Sequence, residues 1–287
     1  MQDVFVHSAQ VRPRRRIKTG RVILLTAMIL LAAIYMIPLI WMLLTSLKTN
    51  KELSMLPIRV FPAVPQWENY QTVFSVVPFA NAYKNSLLAT LGTVALVVIT
   101  SSMGGYSFAK LEYPGRDAIF NCVLATMMVP FFLLAIPLFY IFRILGLINT
   151  IPGLILPMGV SAFGTFLMRQ NIMSIPSELV HAARIDGCSE GRIFWQIILP
   201  LAKGAIGTLV IFSFMQAWDE FMWALMLAQK PDIWTLPLVL RKLEMSDQKM
   251  YHLQMAGATM AVIPTIIVFA FAQKQIIQSV ALSGLKL

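Results

Sequence analysis

The most costly polar feature of this sequence is the carboxyl pair Asp219 and Glu220, which interrupts a long apolar run. A carboxylate near the centre of a membrane helix is disfavoured by roughly 2.5–3.5 kcal/mol, so its surroundings have to compensate for it. Two interpretations are open. The pair lines a path for a polar solute, together with Trp218 and Met222, or it bonds to neighbouring helices and stabilises their packing.

Other chemistry is missing from the sequence. It contains no G-x-x-x-x-G-K-[ST] phosphate loop, so it does not bind and hydrolyse ATP by that means. The histidines His7, His181 and His252 are scattered, and no H-E-x-x-H motif occurs, which argues against a metal site. No nucleophile is paired with a base. We therefore expect a non-catalytic chain that binds no cofactor of its own.

The composition indicates a polytopic membrane protein. Of the 287 residues, 58% are hydrophobic and only 13% are charged, whereas a soluble domain carries about 25% charged residues. The net charge of +10 does not indicate nucleic-acid binding, because the basic residues lie at the edges of apolar runs rather than on one face. Two cysteines, Cys122 and Cys188, are too few for a disulfide framework.

Six apolar runs are long enough to cross a bilayer, which takes about 20 residues per helix. The sequence therefore predicts an all-α membrane protein with six transmembrane helices. Pro38 and Pro130 lie inside two of the runs and predict kinks. The runs are Val22 to Leu47, Ser86 to Ala109, Ala118 to Ile141, Ile151 to Met168, Ala205 to Leu227 and Leu253 to Ala272.

The distribution of Lys and Arg predicts that both termini face the cytoplasm. An even number of spans places the termini on one side, and the strongest bias is the cluster Arg12 to Arg21 before the first run. We expect residues 1–21 to form a basic cytoplasmic amino terminus and residues 22–287 to form one transmembrane domain. The first run is too long for the apolar region of a signal peptide.

Three connecting segments are too long to be simple turns. On the predicted outer side, Lys48 to Lys84 is rich in proline and aromatic residues and is expected to be an ordered segment. Gln229 to His252 is the second outer segment. The third, Arg169 to Gly204, is predicted to be cytoplasmic and has the most organised local pattern.

The pattern in this cytoplasmic segment predicts a helix, a glycine bend and a second helix. Pro176 suits the first helical position, and Glu178 in the first turn favours the positive end of the helix dipole. Gly187 is placed to end the helix in a left-handed conformation. Ser189 is expected to cap the second helix, which would run over Arg192 to Ile198 and end at Pro200.

Two interpretations of this segment are open from the residues alone. It is either a loop that joins two spans or a docking surface for another protein. In the second case the small Ala182 and Ala183 would let the partner approach closely, with Arg184 and Asp186 making polar contacts at the rim.

The stretch ELVHAARIDGCSEGRIFWQIILP resembles the cytoplasmic motif of binding-protein-dependent ABC importer permeases, which reads E-A-A, three residues, G, nine residues, I-x-L-P. His181 stands in place of the leading glutamate. The resemblance implies that the segment is the coupling helix that docks into the ATPase subunit. The matching positions are Ala182, Ala183, Gly187, Ile197, Leu199 and Pro200; the coupling residues it implies are Glu178, His181, Ala182, Ala183, Arg184, Asp186 and Gly187.

Further segments resemble the second permease subunit of maltose-type carbohydrate importers. These are SLKTN, WENY, PFANAYKNSL, AWDEF and AGATMAVIP, while the terminal SGLKL departs from the family pattern. The resemblance implies a sugar as solute, with glycerol phosphate or another polyol as the closest alternative. It also implies a location in the bacterial inner membrane.

The resemblance implies several partners. These are a sister permease, two copies of an ATPase subunit that uses ATP and Mg, and an extracytoplasmic solute-binding protein, in addition to the lipid bilayer. The alternative class is a stand-alone secondary transporter, which typically shows internal repeats, and the sequence shows none.

Overall fold

The computed structural model describes residues 19–245 and 250–284, and these residues form an all-α fold, as the sequence predicts. The basic residues Arg12 to Lys18, Lys249 and the terminal residues 285–287 lie outside the described residues. The helices are α1 (Thr19–Ser46), α2 (Asn50–Leu53), α3 (Glu68–Val76), α4 (Phe79–Lys110), α5 (Arg116–Ala125), α6 (Phe131–Ile144), α7 (Ile151–Ile155), α8 (Ala162–Met173), α9 (Ser177–Ile185), α10 (Glu190–Ile193), α11 (Leu199–Leu201), α12 (Lys203–Trp218), α13 (Met222–Leu227), α14 (Leu236–Glu244) and α15 (Tyr251–Gly284).

Three straight helical stretches in the described ranges are long and apolar enough to cross a membrane: Val22–Ser46, Phe79–Lys110 and Tyr251–Phe271. Three bent pairs also qualify by length and composition. They are Arg116–Met128 with Phe132–Ile144, bent by 104°, Ile151–Met158 with Ala162–Met173, bent by 53°, and Glu190–Leu201 with Lys203–Trp218, bent by 80°. The number of spans is thus three, or up to six if each bent pair crosses once, and the count of six stays a prediction.

The two prolines that predict kinks behave differently. At Pro130 the chain turns sharply between α5 and α6, and the proline itself has extended backbone angles just before α6 begins. The kink predicted there is confirmed. Helix α1, in contrast, runs without interruption through Pro38 from Thr19 to Ser46.

The fifth predicted span, Ala205 to Leu227, is wrong as one continuous helix. Helix α12 ends at Trp218, and α13 begins only at Met222. The physical reason lies in the intervening acids, because the Glu220 side chain accepts a hydrogen bond from the backbone N–H of Trp223 at 2.8 Å. The Trp223 N–H lies in the first turn of α13, where backbone N–H groups have no partner within the helix. The Glu220 carboxylate supplies that partner, so a new helix starts here instead of α12 continuing.

Helix α4 is central to the packing and contacts both α8 and α12. Small residues allow the approach of α4 and α8, as is common between membrane helices. A β-carbon added to Gly105 would lie 2.5 Å from Cβ of Met168 and 2.9 Å from the backbone nitrogen of Arg169. The glycine is therefore required by the distance between these two helices.

A single buried cluster connects the membrane helices to the segment between α8 and α12. It includes Tyr106 from α4, Met168 and Ile172 from α8, Val180 from α9 and Ile193 from α10. Met168, Ile172 and Ile193 are completely buried. Helices α9 and α10 are thus held against α4 and α8 by the same core.

The segment between α1 and α4 is ordered, as its composition predicts. Lys48 is only 1% exposed, and its Nζ donates to the carbonyl oxygen of Arg59 at 2.6 Å and lies 4.8 Å from the ring centre of Trp41. The side-chain amide of Asn69 donates to the carbonyl oxygens of Ser46 and Lys48 at 2.8 and 2.9 Å. These bonds fix the segment to the end of α1.

Candidate functional site

The helix, bend and helix predicted after α8 are present. Helix α9 covers Ser177–Ile185, and Gly187 follows with a φ of +78°, in the left-handed region. The Gly187 N–H donates to the carbonyl of Arg184 at 3.0 Å, and the next N–H, of Cys188, donates to Ala183 at 2.9 Å. These bonds satisfy carbonyls that the end of a helix leaves open, so the predicted role of Gly187 in the backbone is confirmed.

The boundaries of α9 and of the following helix differ from the prediction. Pro176 is the residue before α9 rather than its first residue, because its ψ of 130° is extended. Ser189 caps α10 as predicted, with its hydroxyl accepting from the N–H of Arg192 at 3.4 Å.

Pro200 does not end the second helix. The chain passes from α10 through a π-helical turn, Phe194–Ile198, into α11, which contains Pro200 and ends at Leu201. Proline has no N–H to donate and crowds the carbonyl four residues earlier. The wider π turn lets the helical path continue, and the chain bends only at Ala202.

The exposed face of α9 contains only one of the two alanines that the sequence predicts there. Ala182 is exposed, but Ala183 is 7% exposed and packs in the core with Val180. Neighbouring helical residues point in directions about 100° apart, so Ala182 and Ala183 lie on different faces of α9. The prediction that both form the docking surface is wrong for Ala183, and the solvent-facing residues of α9 and its end are Ser177, Glu178, Leu179, His181, Ala182, Arg184, Ile185 and Asp186.

Arg184, expected to make a polar contact at the rim, has a partner within the chain. Its Nε donates to Oε1 of Glu190 at 2.6 Å, across the Gly187 bend. This hydrogen bond is the main reason that the pKa of Arg184 is raised. The other carboxylate oxygen, Oε2, accepts a hydrogen bond from the Tyr106 hydroxyl of α4 at 2.5 Å.

The sequence interpretation missed Glu190 and Tyr106. An arginine and a glutamate on opposite sides of a predicted glycine bend were a usable signal for the ion pair. The contact with Tyr106 had no such signal, because the two residues are separated by 84 positions in the chain.

The two intramembrane acids have different surroundings. Glu220 accepts from the Trp223 N–H and borders a small cavity of about 20 Å³, together with Ser86, Thr93 and Thr235. That volume has room for one water molecule. The Thr235 hydroxyl is buried and has no hydrogen-bond partner among the described residues.

Asp219 instead faces outward. Its side chain is exposed at the end of α12, and it borders an open groove of about 350 Å³ between α12, α14 and α15. The groove is otherwise lined mainly by apolar side chains, among them Leu236, Leu240 and Val262. Of the two carboxylates, Asp219 is therefore the one that is exposed to this groove.

Trp218 belongs mainly to the packing between helices. It is 4% exposed, its indole N–H donates to the carbonyl oxygen of Ala261 in α15 at 3.0 Å, and its ring stacks on Phe214 with centroids 5.7 Å apart. Met222, the fourth residue expected along a path, is half-buried at the first position of α13.

Comparison with known proteins identifies the family. Residues 97–281 match the family described as "Binding-protein-dependent transport system inner membrane component". The chain belongs to this family. Its members are permease subunits of ABC importers, which places this chain in the inner membrane as a permease component that depends on a solute-binding protein. The family role is non-catalytic, and the alternative of a stand-alone secondary transporter is not favoured.

Named relatives extend over almost the whole chain. The arabinooligosaccharides transport system permease protein AraQ of Bacillus subtilis (strain 168) is 35% identical over 269 residues, covering 93% of this chain and 96% of the relative. The lactose transport system permease protein LacG of Rhizobium radiobacter is 32% identical over 249 residues, covering 87% of this chain and 90% of the relative.

The fold also matches a solved structure. This structure is a bacterial ABC transporter involved in the import of the acidic polysaccharide alginate, with a TM-score of 0.77 and 24% identity. The match covers 91% of this chain and 99% of that one. At this identity the likeness is one of fold.

Proposed function

We propose that this chain is one of two membrane subunits of a sugar importer and forms half of its translocation path. The observation that carries the proposal is the near full-length similarity to permeases named for arabinooligosaccharides and lactose. The complete importer would contain a sister permease, two ATPase subunits that consume ATP with Mg, and an extracytoplasmic solute-binding protein. A glycerol phosphate or another polyol is the closest alternative solute.

The proposed docking surface for the ATPase is the exposed face of α9. Ile185 is 86% exposed, and His181, Ala182 and Asp186 lie exposed around it. An apolar side chain that is almost fully in water gains free energy when a partner covers it. A partner that covered Ile185 would remove this side chain from water, which supports docking on this face.

Within the membrane, the proposed path runs beside Asp219 and Met222. Asp219 supports this assignment because it is exposed in a groove, and carboxylate oxygens accept hydrogen bonds from sugar hydroxyls. Trp218 and Glu220 would not contact the solute. They would fix the end of α12 and the start of α13, and so hold Asp219 and Met222 in position.

The orientation that we propose places the amino terminus in the cytoplasm. A single cysteine introduced at Gln10, after replacement of Cys122 and Cys188, should resist an impermeant thiol reagent in intact cells and react in inverted vesicles. Labelling in intact cells would contradict this orientation and place α9 on the wrong side for an ATPase.

Purification tests the function as a whole. The tagged chain, expressed with the other components encoded beside it, should copurify with an ATPase and a second permease. The reconstituted complex should take up sugar only with ATP and the binding protein. Uptake by this chain alone, without ATP, would contradict the proposal.

A further inference from the structure

Glu190 connects the exposed helix α9 to the membrane helix α4. One carboxylate oxygen accepts from Nε of Arg184, at the end of α9, at 2.6 Å. The other accepts from the hydroxyl of Tyr106, in the last third of α4. A single side chain thus holds two elements that belong to different parts of the fold.

The Tyr106 end of this connection is rigid. Tyr106 is 5% exposed, and its ring lies 5.5 Å from the ring of Phe194, in the π-helical turn that follows α10. A buried tyrosine hydroxyl requires a hydrogen-bond partner, and Glu190 supplies it. Hydrogen bonds to a charged acceptor are among the stronger ones in proteins.

The Arg184 end lies at the surface, beside the residues proposed to meet the ATPase. The side chains of Arg184 and Glu190 are 35% and 46% exposed. Between them the chain reverses at Gly187, and the Ser189 cap fixes the start of α10. Two short hydrogen bonds, both to the carboxylate of Glu190, therefore connect α9 to Tyr106.

A second set of hydrogen bonds, made by Lys110, also connects α4 to α9. Lys110, the last residue of α4, donates to the carbonyl of Ile175 at 2.6 Å and to the hydroxyl of Ser177 at 3.1 Å. These bonds hold the start of α9, whereas Glu190 holds its end. The two sets of hydrogen bonds together would move α9 and the cytoplasmic end of α4 as one unit.

We propose that Glu190 is a positioning residue for coupling, which transmits movement of α9 to α4 through Tyr106. The proposal rests on the proposed docking of α9 on an ATPase. In this proposal the ion pair of Glu190 with Arg184 and its hydrogen bond with Tyr106 form one pathway. Loss of either bond would interrupt the same coupling.

The test uses the reconstituted complex with its ATPase and binding protein, and the variants Tyr106→Phe, Glu190→Gln, Glu190→Ala and the double variant Tyr106→Phe/Glu190→Ala. Two quantities are measured, the stimulation of ATP hydrolysis by loaded binding protein and the uptake of sugar. The coupling free energy between two binding sites typically corresponds to a factor of about 5 or more in affinity, and this sets the size of the effect that we expect. Glu190→Ala should lower both quantities by about that factor, while the ATPase still copurifies.

Two comparisons make the test specific. The double variant should be no worse than Glu190→Ala alone, because both changes interrupt the same pathway. Glu190→Gln keeps an acceptor oxygen for Tyr106 and should recover part of the stimulation. Glu112→Gln, which removes an exposed carboxylate that acts on Arg184 through its charge, should lower both quantities less than Glu190→Ala does.

Each outcome bears on the proposal. Independent, multiplying losses in the double variant would overturn it, as would wild-type coupling in Glu190→Ala. A loss of uptake that merely follows a loss of thermal stability across all variants would also overturn it, since that pattern belongs to a structural residue. Failure of the docking proposal appears differently, because the wild-type chain itself would then not retain an ATPase.

Discussion

Asp219 and Glu220 are adjacent in the chain, yet their carboxylates face different surroundings. Glu220 accepts a hydrogen bond from the backbone N–H of Trp223, in the first turn of α13, at 2.8 Å. Asp219 is exposed beside the groove between α12, α14 and α15. One acid therefore has a structural role within the described fold, and the other is exposed to the groove.

We expect Asp219→Asn to preserve sugar uptake, because the amide keeps a hydrogen-bond acceptor and removes the charge. Uptake by the reconstituted importer measures this directly. A complete loss of uptake with normal assembly would show that the negative charge itself is required in the groove.

We expect Glu220→Ala to be more harmful than Asp219→Asn. Removing one hydrogen bond of this kind costs about 1 kcal/mol of folding free energy. Glu220→Gln is the matched control, because its amide oxygen can still accept from the Trp223 N–H. The midpoint of thermal unfolding in detergent should fall for Glu220→Ala and recover in Glu220→Gln; equal values for both would mean that this bond contributes nothing.

Gly187 offers a test of the bend between α9 and α10. Because its φ is +78°, a residue with a β-carbon is disfavoured there by roughly 1–2 kcal/mol. Gly187→Asp should leave the membrane abundance near that of the wild type, while uptake and copurification of the ATPase both fall.

Gly191 supplies the control for this prediction. It lies in α10 with open space around it and no positive φ, so Gly191→Ala should be tolerated where Gly187→Ala is not. Unchanged uptake and normal ATPase retention in Gly187→Asp would remove the bend from the mechanism. Loss of the protein from the membrane would show instead that Gly187 serves folding.

The close contact between α4 and α8 predicts that alanine substitutions at two neighbouring glycines, Gly104 and Gly105, differ in their effect on stability. A β-carbon at Gly105 would lie 2.5 Å from Cβ of Met168, whereas at Gly104 its nearest neighbour would be Cγ2 of Thr165, at 3.2 Å. Gly105→Ala should therefore lower the thermal unfolding midpoint clearly more than Gly104→Ala. Equal effects would contradict the close approach of the two helices.

Glu52 predicts a pH dependence of stability outside the membrane helices. Its carboxylate accepts from the backbone N–H groups of Thr49 and Ala63, at 2.9 and 2.8 Å. Chiefly through the bond with Thr49, these hydrogen bonds lower the pKa of Glu52. A carboxylate with a lowered pKa stabilises the fold at neutral pH, and this contribution is lost as the pH falls through the pKa of the folded state.

The matched variant for this effect is Glu52→Gln. It should unfold at a lower temperature than the wild type at pH 7, and the difference should narrow as the pH is lowered below the ordinary range of a glutamate. A difference that is constant with pH would show that the ionised form of Glu52 does not contribute.

Much of this protein follows from local features of the sequence. The apolar runs determine the helical membrane fold, because a continuous run of about 20 apolar residues satisfies its own backbone groups in a bilayer as a helix. The position of Gly187 relative to Ser189 determines the bend, since left-handed backbone angles and helix caps depend on a few adjacent residues. The family motif around Ala182 and Gly187 can also be recognised in the sequence, because its residues lie within one short segment.

Only the tertiary structure decided which face of each element is occupied. Ala183 turns into the core and Ala182 does not, because Val180 and Ala183 belong to the buried cluster that includes residues of α4 and α8. The bond between Tyr106 and Glu190 likewise depends on packing, because it joins residues that are 84 positions apart in the chain. Such contacts leave no periodic pattern in the sequence, since they arise from how the helices pack rather than from the helices themselves.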